Sequence, residues 1–150
     1  HEVLITLSPS LRKTKHILRN EIPQGIKLNS FPGPLEQVIM NMVNNSLRHA
    51  FSDEDFGIMR MSAELSSPDE VRISFSDNGK GIPAQHIQRI FDPFFTTKLG
   101  QGGSGLGLSI AYNIVTAMLG GRLEVHSELG KGAEFIIEIP LTAPIEQRPA

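Results

Sequence analysis

The sequence predicts a two-layer α/β sandwich, in which a mixed, mainly antiparallel sheet carries helices on one face. Four segments alternate apolar with polar side chains, as Val71, Ile73 and Phe75 do, and such strands bury one face only. Three other segments have apolar residues at helical spacing, with proline at their start or glycine at their end. Helices that cover one face of such a sheet supply the second layer.

The predicted elements alternate between helix and strand along the chain. Helices are expected over 35–50, 84–90 and 106–119, with a short one near 8–14. Strands are expected over 58–65, 71–77, 122–128 and 133–139, with another near 16–21. Pro34 and Pro83 start two of the helices, whereas Gly120 and Gly121 stop the third. Residues 142–150 are predicted to be a tail or linker.

The composition narrows the classes of function. A chain of 150 residues with 39% apolar side chains fits one domain over 1–150, with its motifs within 35–140. Fourteen basic and sixteen acidic residues give a net charge of −2 and form no basic block for nucleic acid. Cysteine is absent, which excludes disulfides and thiolate metal sites. No apolar run reaches the length of a membrane span, so we expect a cytoplasmic domain without membrane contact, whatever anchors a longer parent.

The helix over 35–50 carries the first candidate site. Its polar side collects amides, among them Asn41, Asn44 and Asn45, where a solvated helix would favour Lys or Glu. Amide oxygens can complete the octahedral shell of a Mg²⁺ ion that phosphates and water otherwise hold. A plain solvated face explains the same residues, so both interpretations stay open.

Asp77 and the glycines after it form the second candidate site. The segment D-N-G-K-G (77–81) ends a predicted strand. A carboxylate held there can accept the exocyclic amino proton of adenine and rejects guanine, which has an acceptor oxygen at that position. Gly81 lacks the Cβ that would keep a ring away. A simple turn that uses Asn and Gly is the alternative.

A glycine-rich loop over 96–105 leads into the third predicted helix. Its conformational freedom predicts a mobile segment. Lys98 can reach a phosphate, and the helix start offers free backbone N–H groups to an anion. Phe91, Phe94 and Phe95 suit either the core or a hydrophobic anchor that docks this loop or a partner helix.

The same loop contains a competing motif. Residues 100–105 match G-x-G-x-x-G, and Glu124 lies about twenty residues further on, as in dinucleotide folds. However, no predicted strand directly precedes Gly100, and too little sequence follows for a doubly wound sheet. The five His residues have no paired spacing for zinc. The segments together favour a nucleoside triphosphate site that is built without a P-loop.

Four segments in order resemble the boxes of a known family. N-M-V-N-N (41–45), D-N-G-K-G (77–81), F-D-P-F-F-T-T-K (91–98) and G-G-S-G-L-G-L (102–108) are similar to the N, first glycine, F and second glycine boxes of the catalytic ATP-binding domain of two-component sensor histidine kinases. This fold is shared with type II topoisomerase, heat-shock chaperone and mismatch-repair ATPases. The resemblance covers residues 35–140 and implies a Bergerat-type sandwich with a mobile ATP lid.

The resemblance implies a role for each matching residue. Asn45 would bind Mg²⁺ with help from Asn41, and Arg48 and His49 would lie near phosphate and ribose. Asp77 would hold the adenine amino group in a pocket shaped by Gly79, Gly81 and Ile82. Asn41 and Lys98 are the implied catalytic residues. The other implied nucleotide contacts are Thr97, Gly103, Ser104, Gly105, Leu106, Gly107 and Leu108. Ala133 departs from the family, which often has a hydroxyl residue there, so the base pocket is looser or uses another donor such as Ser76.

The implied activity is transfer of the ATP γ-phosphate to a histidine. The acceptor would lie on dimerisation and phosphoacceptor helices of the same protein, and the phosphoryl group would pass to the receiver domain of a response regulator. ATPases of this fold usually carry Glu where Asn41 stands, and an amide cannot act as a general base, so a kinase is favoured. His1 begins a segment like an acceptor box, but Thr6-Leu7 lacks its Pro, so we expect the acceptor upstream in a longer, homodimeric parent. A serine kinase of the anti-sigma type and a non-catalytic nucleotide sensor are the alternatives.

Overall fold

The computed structural model describes residues 17–21, 32–47, 57–93 and 107–142. Its strands are β1 (Ile17–Asn20), β2 (Ile58–Ser67), β3 (Glu70–Asp77), β4 (Arg122–Ser127) and β5 (Ala133–Pro140). Its α-helices are α1 (Pro32–Asn45), α2 (Ala84–Ile87) and α3 (Gly107–Asn113), and a π-helical segment, Ile114–Met118, continues α3. No helix in these ranges is long and apolar enough to cross a membrane.

The five strands form one mixed sheet in the order β1-β2-β3-β5-β4. β1 runs parallel to β2, and the connection between them contains α1, as a parallel pair requires. The other three pairs are antiparallel. β5 lies beside β3 and runs antiparallel to it. The last residue of β3 is therefore next to the first residue of β5, and Asp77 pairs with Ala133. The predicted mixed, mainly antiparallel sheet is confirmed.

The core lies between the helices and one face of the sheet. In β5 every second residue from Ala133 to Ile139 is buried, as the period-two pattern predicts. Each large apolar side chain buried in this way contributes roughly 1.5–3 kcal/mol. The sheet supplies Met59, Met61, Val71, Ile73, Phe75, Leu123, Phe135, Ile137 and Ile139, and the helical segments supply Val38, Ile39, Met42, Val43, Ala111, Val115 and Leu119.

The opposite face of the sheet carries a row of charges, here called the charged row. It crosses four strands through Glu64, Arg72, Glu138 and Arg122, which are successive partners in the strand register. Arg72 lies 3.9 Å from Glu64 and 3.1 Å from Glu138, and Arg122 also pairs with Glu138. Opposite charges on neighbouring strands stabilise this face of the sheet.

Helix α1 begins earlier than the sequence predicts. Its first residue is Pro32 rather than a residue after Pro34, so both prolines lie in the first turn. Proline is tolerated there because the first N–H groups of a helix have no carbonyl partner inside it. The α-helical part ends at Asn45, and residues 46–47 are π-helical. The last predicted residues, 48–50, lie outside the described ranges.

The two later helices also differ from the prediction. α2 ends at Ile87 rather than 90, because Arg89 and Asp92 donate backbone hydrogen bonds three residues back, to His86 and Arg89, as in successive turns. The predicted helix 106–119 is α-helical only to Asn113; the Leu119 N–H then donates to the Ile114 carbonyl, five residues back, at 2.9 Å. Thr116 Oγ1 donates to the Tyr112 carbonyl, the usual partner of the Thr116 N–H, and so competes with the α-helical pattern.

Several predicted features can be located only in part. The strand near 16–21 is present as β1. Phe91 stacks on Tyr112 with ring centroids 5.2 Å apart and meets Phe135 edge-on at 6.4 Å, so it packs at the edge of the core. Phe94, Phe95, the helix near 8–14, the loop over 96–105 and residues 143–150 lie outside the described ranges.

Candidate functional site

The carboxylate of Asp77 is the centre of the candidate site. Its Oδ1 accepts the N–H of Gly79 at 2.9 Å and that of Ala133 at 3.3 Å, and its Oδ2 accepts the hydroxyl of Ser46 at 2.9 Å. These donors come from the π-helical turn directly after α1, from the loop after β3 and from the start of β5. A carboxylate has about four acceptor positions, so one position on Oδ2 is left for a further donor.

The residue after Asp77 ends the strand in a fixed geometry. The Asn78 N–H donates to the Ile58 carbonyl at 3.1 Å, and the Asn78 Oδ1 accepts the Ile58 N–H at 2.8 Å. Asn78 therefore uses backbone and side chain together to continue the pairing of β3 with β2 by one residue. The backbone of Asp77 is fixed on one side by the Asn78–Ile58 hydrogen bonds and on the other by its pairing with Ala133. The position from which its side chain extends is therefore well determined.

The loop after Asp77 packs closely against the turn that joins β4 to β5. Gly81 has φ +78°, and a Cβ there would lie 2.1 Å from the carbonyl oxygen of Glu128. Gly132 has φ +75°, and a Cβ there would lie 2.1 Å from the carbonyl oxygen of Asp77. The sequence interpretation assigned Gly81 to the approach of a ring; the structure gives a backbone reason, because only glycine allows this contact.

Ser127 joins the same two segments by hydrogen bonds. Its hydroxyl accepts the Ile82 N–H at 2.8 Å and donates to the Gly132 carbonyl at 2.6 Å. The Gly130 N–H adds a further bond, to the Lys80 carbonyl at 2.6 Å. Ile82 itself packs against the core. Thus Gly79, Gly81 and Ile82, all predicted site residues, lie in one loop that the β4–β5 turn supports.

The amide face of α1 lies on another side of the site. Gln37 Nε2 donates to Asn41 Oδ1 at 2.7 Å, and Asn41 Nδ2 donates to the Gly107 carbonyl at 2.9 Å. Asn41 therefore connects α1 to the start of α3. Asn45, one turn later, is half-buried, and no protein partner holds its side chain in the described part of the chain. Of the two predicted Mg²⁺ ligands, Asn41 has an oxygen that already accepts a hydrogen bond, whereas the Asn45 oxygen accepts none from the residues that the structure describes.

Gly107 and Leu108 are the described members of the second glycine segment. Gly107 begins α3 and is exposed, and a Cβ there would meet nothing within 4 Å in the described structure. Leu108 packs against the core. The other predicted contacts lie outside the described ranges: Arg48, His49, Thr97, Lys98, Gly103, Ser104, Gly105 and Leu106.

A cavity of about 530 Å³ opens beside Asp77 at the end of the sheet. Gly132 and Ala133 border it together with Asp77, and the other lining residues are Ser76, Ile87, Val125, His126, Ser127, Glu128, Lys131 and Glu134. This volume is within the range of small-molecule pockets. In the described ranges, no cluster of three or more His, Asp or Glu side chains forms a metal site.

The sequence did not predict the residue directly after α1 that contacts Asp77. The proposed substitute donor, Ser76, alternates with Phe75 and Asp77 along β3 and therefore points to the opposite face of the strand. The hydroxyl bound to Asp77 belongs to Ser46, which is 0% exposed. One signal could have found it: Ser46 continues the apolar stripe of Ile39, Met42 and Val43 at helical spacing, and a buried hydroxyl needs a partner.

Comparisons with known proteins agree with this arrangement. Residues 32–143 match the family described as histidine kinase-, DNA gyrase B-, and HSP90-like ATPase. The chain is 36% identical to the two-component sensor PprA of Pseudomonas aeruginosa, over 88% of this chain and 15% of that protein. It is 38% identical to the sensor histidine kinase ZraS of Salmonella typhimurium, over 78% of this chain and 24% of that protein. The chain therefore spans a quarter or less of these relatives.

Solved structures give the same result for the fold. The nucleotide-free catalytic domain of the histidine kinase ThkA superposes with a TM-score of 0.79 at 31% identity, covering 94% of this chain and 90% of that one. A second structure contains ThkA in complex with the response regulator protein TrrA; it has a TM-score of 0.75 at 28% identity and covers 94% of this chain and 39% of that one.

Proposed function

Because the chain belongs to the histidine kinase-, DNA gyrase B- and HSP90-like ATPase family, we propose that it binds Mg²⁺-ATP and donates the γ-phosphate to a histidine. The acceptor lies on dimerisation and phosphoacceptor helices of the same, longer protein. The observation that carries the nucleotide part is the Asp77 carboxylate, which three donors hold and which keeps one acceptor position on Oδ2.

That remaining acceptor position suits the exocyclic amino group of adenine. The amino group is a donor, and the same position in guanine carries an acceptor oxygen, which would face a carboxylate without a proton between them. Leaving such a buried acceptor pair unsatisfied costs roughly 1–3 kcal/mol. Asp77 thereby selects adenine over guanine, and the loop with Gly79, Gly81 and Ile82 forms the adjoining wall.

Asn45 fits Mg²⁺ better than Asn41 does. An amide oxygen is a hard ligand of the kind that Mg²⁺ accepts beside phosphates and water. The Asn41 oxygen already accepts a hydrogen bond from Gln37, whereas Asn45 has no such partner in the described part. Mg²⁺, when bound, neutralises phosphate charge. In the proposal Asn41 ties α1 to α3, and Arg48, His49 and Lys98 contact the polar end of the nucleotide.

The chemistry proposed for Asn41 follows from what an amide lacks. Hydrolysis requires a base that takes a proton from water, and an amide cannot serve as one. A neutral imidazole nitrogen already carries a lone pair, so it attacks the γ-phosphorus without prior deprotonation. The new N–P bond replaces the bond to the β-phosphate oxygen, and ADP leaves. The domain supplies positioning and charge neutralisation, which phosphoryl transfer mainly needs.

The partners and location are part of the same proposal. The relatives, a two-component sensor and a sensor histidine kinase, are much longer than this chain, which supports a longer parent protein with room for acceptor helices. A homodimeric parent is part of the same proposal. ThkA forms a complex with a response regulator, and a receiver domain of that class is the proposed final acceptor here. The domain would act in the cytoplasm, where ATP is available.

Titration calorimetry tests the binding half of the proposal. The chain should bind ATP only weakly without Mg²⁺, and Asn45→Ala should abolish most of the gain that Mg²⁺ gives. Asn113→Ala, an exposed asparagine on α3, serves as the matched control and should leave that gain intact. An unchanged Mg²⁺ dependence in Asn45→Ala would reject the metal assignment.

Radiolabelled ATP tests the transfer half. With a separate dimerisation segment that contains the acceptor histidine, label should appear on that segment and should be lost in acid, as an N–P bond is. Label that survives acid would favour the serine kinase, and binding without any label would favour the nucleotide sensor. The chain alone should neither label itself nor release phosphate at an appreciable rate.

A further inference from the structure

Ser46 makes a contact that neither the metal nor the phosphates require. It lies in the π-helical turn directly after α1, is 0% exposed, and places its Oγ 2.9 Å from Asp77 Oδ2. A carboxylate can only accept, so the hydroxyl is the donor. This is the one side-chain donor to Asp77 in the described ranges, because the other two are backbone N–H groups of Gly79 and Ala133.

We propose that Ser46 is a positioning residue for base recognition, which it performs by fixing the orientation of the Asp77 carboxylate. The inference rests on the proposed role of Asp77 toward adenine. The two backbone donors hold Oδ1 only. The last torsion of an aspartate side chain has a broad energy minimum, and rotation about it moves both oxygens together, so two bonds to Oδ1, one of them 3.3 Å long, still leave a range of carboxylate orientations. The Ser46 hydroxyl removes that freedom and leaves the remaining acceptor position of Oδ2 in one direction.

The contact also explains why a serine occupies the apolar stripe of a helix. A buried hydroxyl without a partner is unfavourable, and here the partner lies 31 positions along the chain, at the end of β3. Because Ser46 directly follows Asn45, the same bond fixes the end of α1 that carries the proposed Mg²⁺ ligand. If the end of α1 were no longer fixed, the binding of all nucleoside triphosphates would weaken alike. This effect can therefore be separated from base recognition.

A comparison of two nucleotides isolates the base contact. Purine riboside triphosphate has the adenine ring without its exocyclic amino group, and the ratio of its Kd to that of Mg²⁺-ATP measures the contribution of that group alone. The wild-type chain should prefer ATP, and Asp77→Asn should abolish the preference. Ser46→Ala should reduce the preference about fivefold, the size of one typical hydrogen bond, because the lost bond acts on the amino group only through Asp77.

Two further variants separate positioning from general stability. Ser74→Ala is the matched control, since Ser74 also donates to a carboxylate, that of Glu134 at 2.7 Å, on the opposite face of the sheet. It should leave the ratio unchanged. Ala133→Ser combined with Ser46→Ala should restore part of the preference, because residue 133 pairs with Asp77 in register, and opposite side chains in a sheet lie about 5 Å apart.

The outcomes distinguish this inference from the proposed function. A ratio that is unchanged in Ser46→Ala but lost in Asp77→Asn overturns the role of Ser46 and leaves the adenine assignment intact. If Ser46→Ala weakens the binding of both nucleotides equally and preserves the ratio, Ser46 is a purely structural residue. This outcome also overturns the proposed role of Ser46. A ratio that persists in Asp77→Asn overturns the adenine assignment itself, and the role of Ser46 with it. Thermal unfolding without nucleotide verifies that each variant is folded.

Discussion

Two polar networks cross the β3–β5 pair, and they are built differently. At one end, Asp77 is partly buried and receives two backbone N–H groups and one buried hydroxyl. Toward the other end, the charged row on the open face joins Arg72 to Glu64 and Glu138 through side chains alone. Two of the three donors in the first network are backbone N–H groups, whose positions the fold fixes. The second uses long side chains, and most of them are open to water and salt.

This difference indicates where a binding site can form in this fold. A recognition group must point in one direction before its ligand arrives, and backbone donors provide that at little cost in side-chain entropy. The close approach of Gly132 to the Asp77 carbonyl brings the N–H of Ala133 to the carboxylate. The charged row has no comparable constraint, so its contribution to stability is expected to be small and dependent on salt.

The largest expected effect comes from breaking the backbone contact at Gly132. A Cβ there would lie 2.1 Å from the Asp77 carbonyl oxygen, whereas a Cβ at Gly130, in the same turn and also at positive φ, would meet nothing within 4 Å. Gly130→Ala should lose about 1–2 kcal/mol of unfolding free energy from positive φ alone. Gly132→Ala should lose at least about 3 kcal/mol, because the backbone must also move.

Urea unfolding of the two glycine variants measures this difference. In Gly132→Ala, ATP affinity should fall as well, because Ala133 and Asp77 move apart. Equal losses of stability in the two variants would mean that positive φ, rather than the close approach, is what requires glycine in this turn.

A smaller effect is expected from Ser127, which bridges the two segments around Asp77. Ser127→Ala leaves the Ile82 N–H and the Gly132 carbonyl without their partner and should cost about 1–3 kcal/mol. Ser67→Ala is the control, since Ser67 also accepts a backbone N–H, that of Asp69 at 3.3 Å, but in an exposed turn. It should change the unfolding free energy by less than about 0.5 kcal/mol.

Hydrogen exchange adds a local measurement for Ser127. Exchange at the Ile82 N–H should accelerate in Ser127→Ala under conditions where the protein stays folded. Unchanged exchange there would show that water replaces the hydroxyl without loss, and the loop would then be held by Gly81 and Gly130 alone.

Local patterns explain which parts of the fold the sequence could predict. The four predicted strands agree with the structure to within two residues, because burial of one sheet face imposes alternation on every strand. The start of α1 was misplaced because Pro32 and Pro34 both suit a first turn. The π-helical segment Ile114–Met118 was missed because apolar periodicity does not distinguish bonds to the fourth residue from bonds to the fifth.

The residues of the site also differ in whether a local sequence signal predicts them. Asp77 and the loop to Ile82 could be predicted, since a strand end and its turn residues are local signals. The donors to Asp77 could not, because Ser46 and Ala133 reach it from 31 and 56 positions away. Such contacts depend on the register of β3 with β5 and on the docking of α1, which single residues do not encode. The roles assigned to Lys98, Arg48 and His49 stay predictions.

The smallest effects concern the charged row, and two of its glutamates make the comparison sharp. Glu64 is 73% exposed and lies 3.9 Å from one arginine, whereas Glu138 is 12% exposed and contacts both Arg72 and Arg122. Glu64→Gln should cost less than about 0.5 kcal/mol of unfolding free energy. Glu138→Gln should cost about 1 kcal/mol, because its carboxylate is shielded from water and pairs with two arginines.

Raising the salt to about 1 M shortens the screening length to about 3 Å, which should erase the loss in Glu64→Gln but only part of the loss in Glu138→Gln. Urea unfolding at low and high salt measures both, and neither variant should alter ATP affinity. If Glu64→Gln cost as much as Glu138→Gln at either salt concentration, burial would not be what separates the two networks, and the contrast with Asp77 would have to rest on its backbone donors alone.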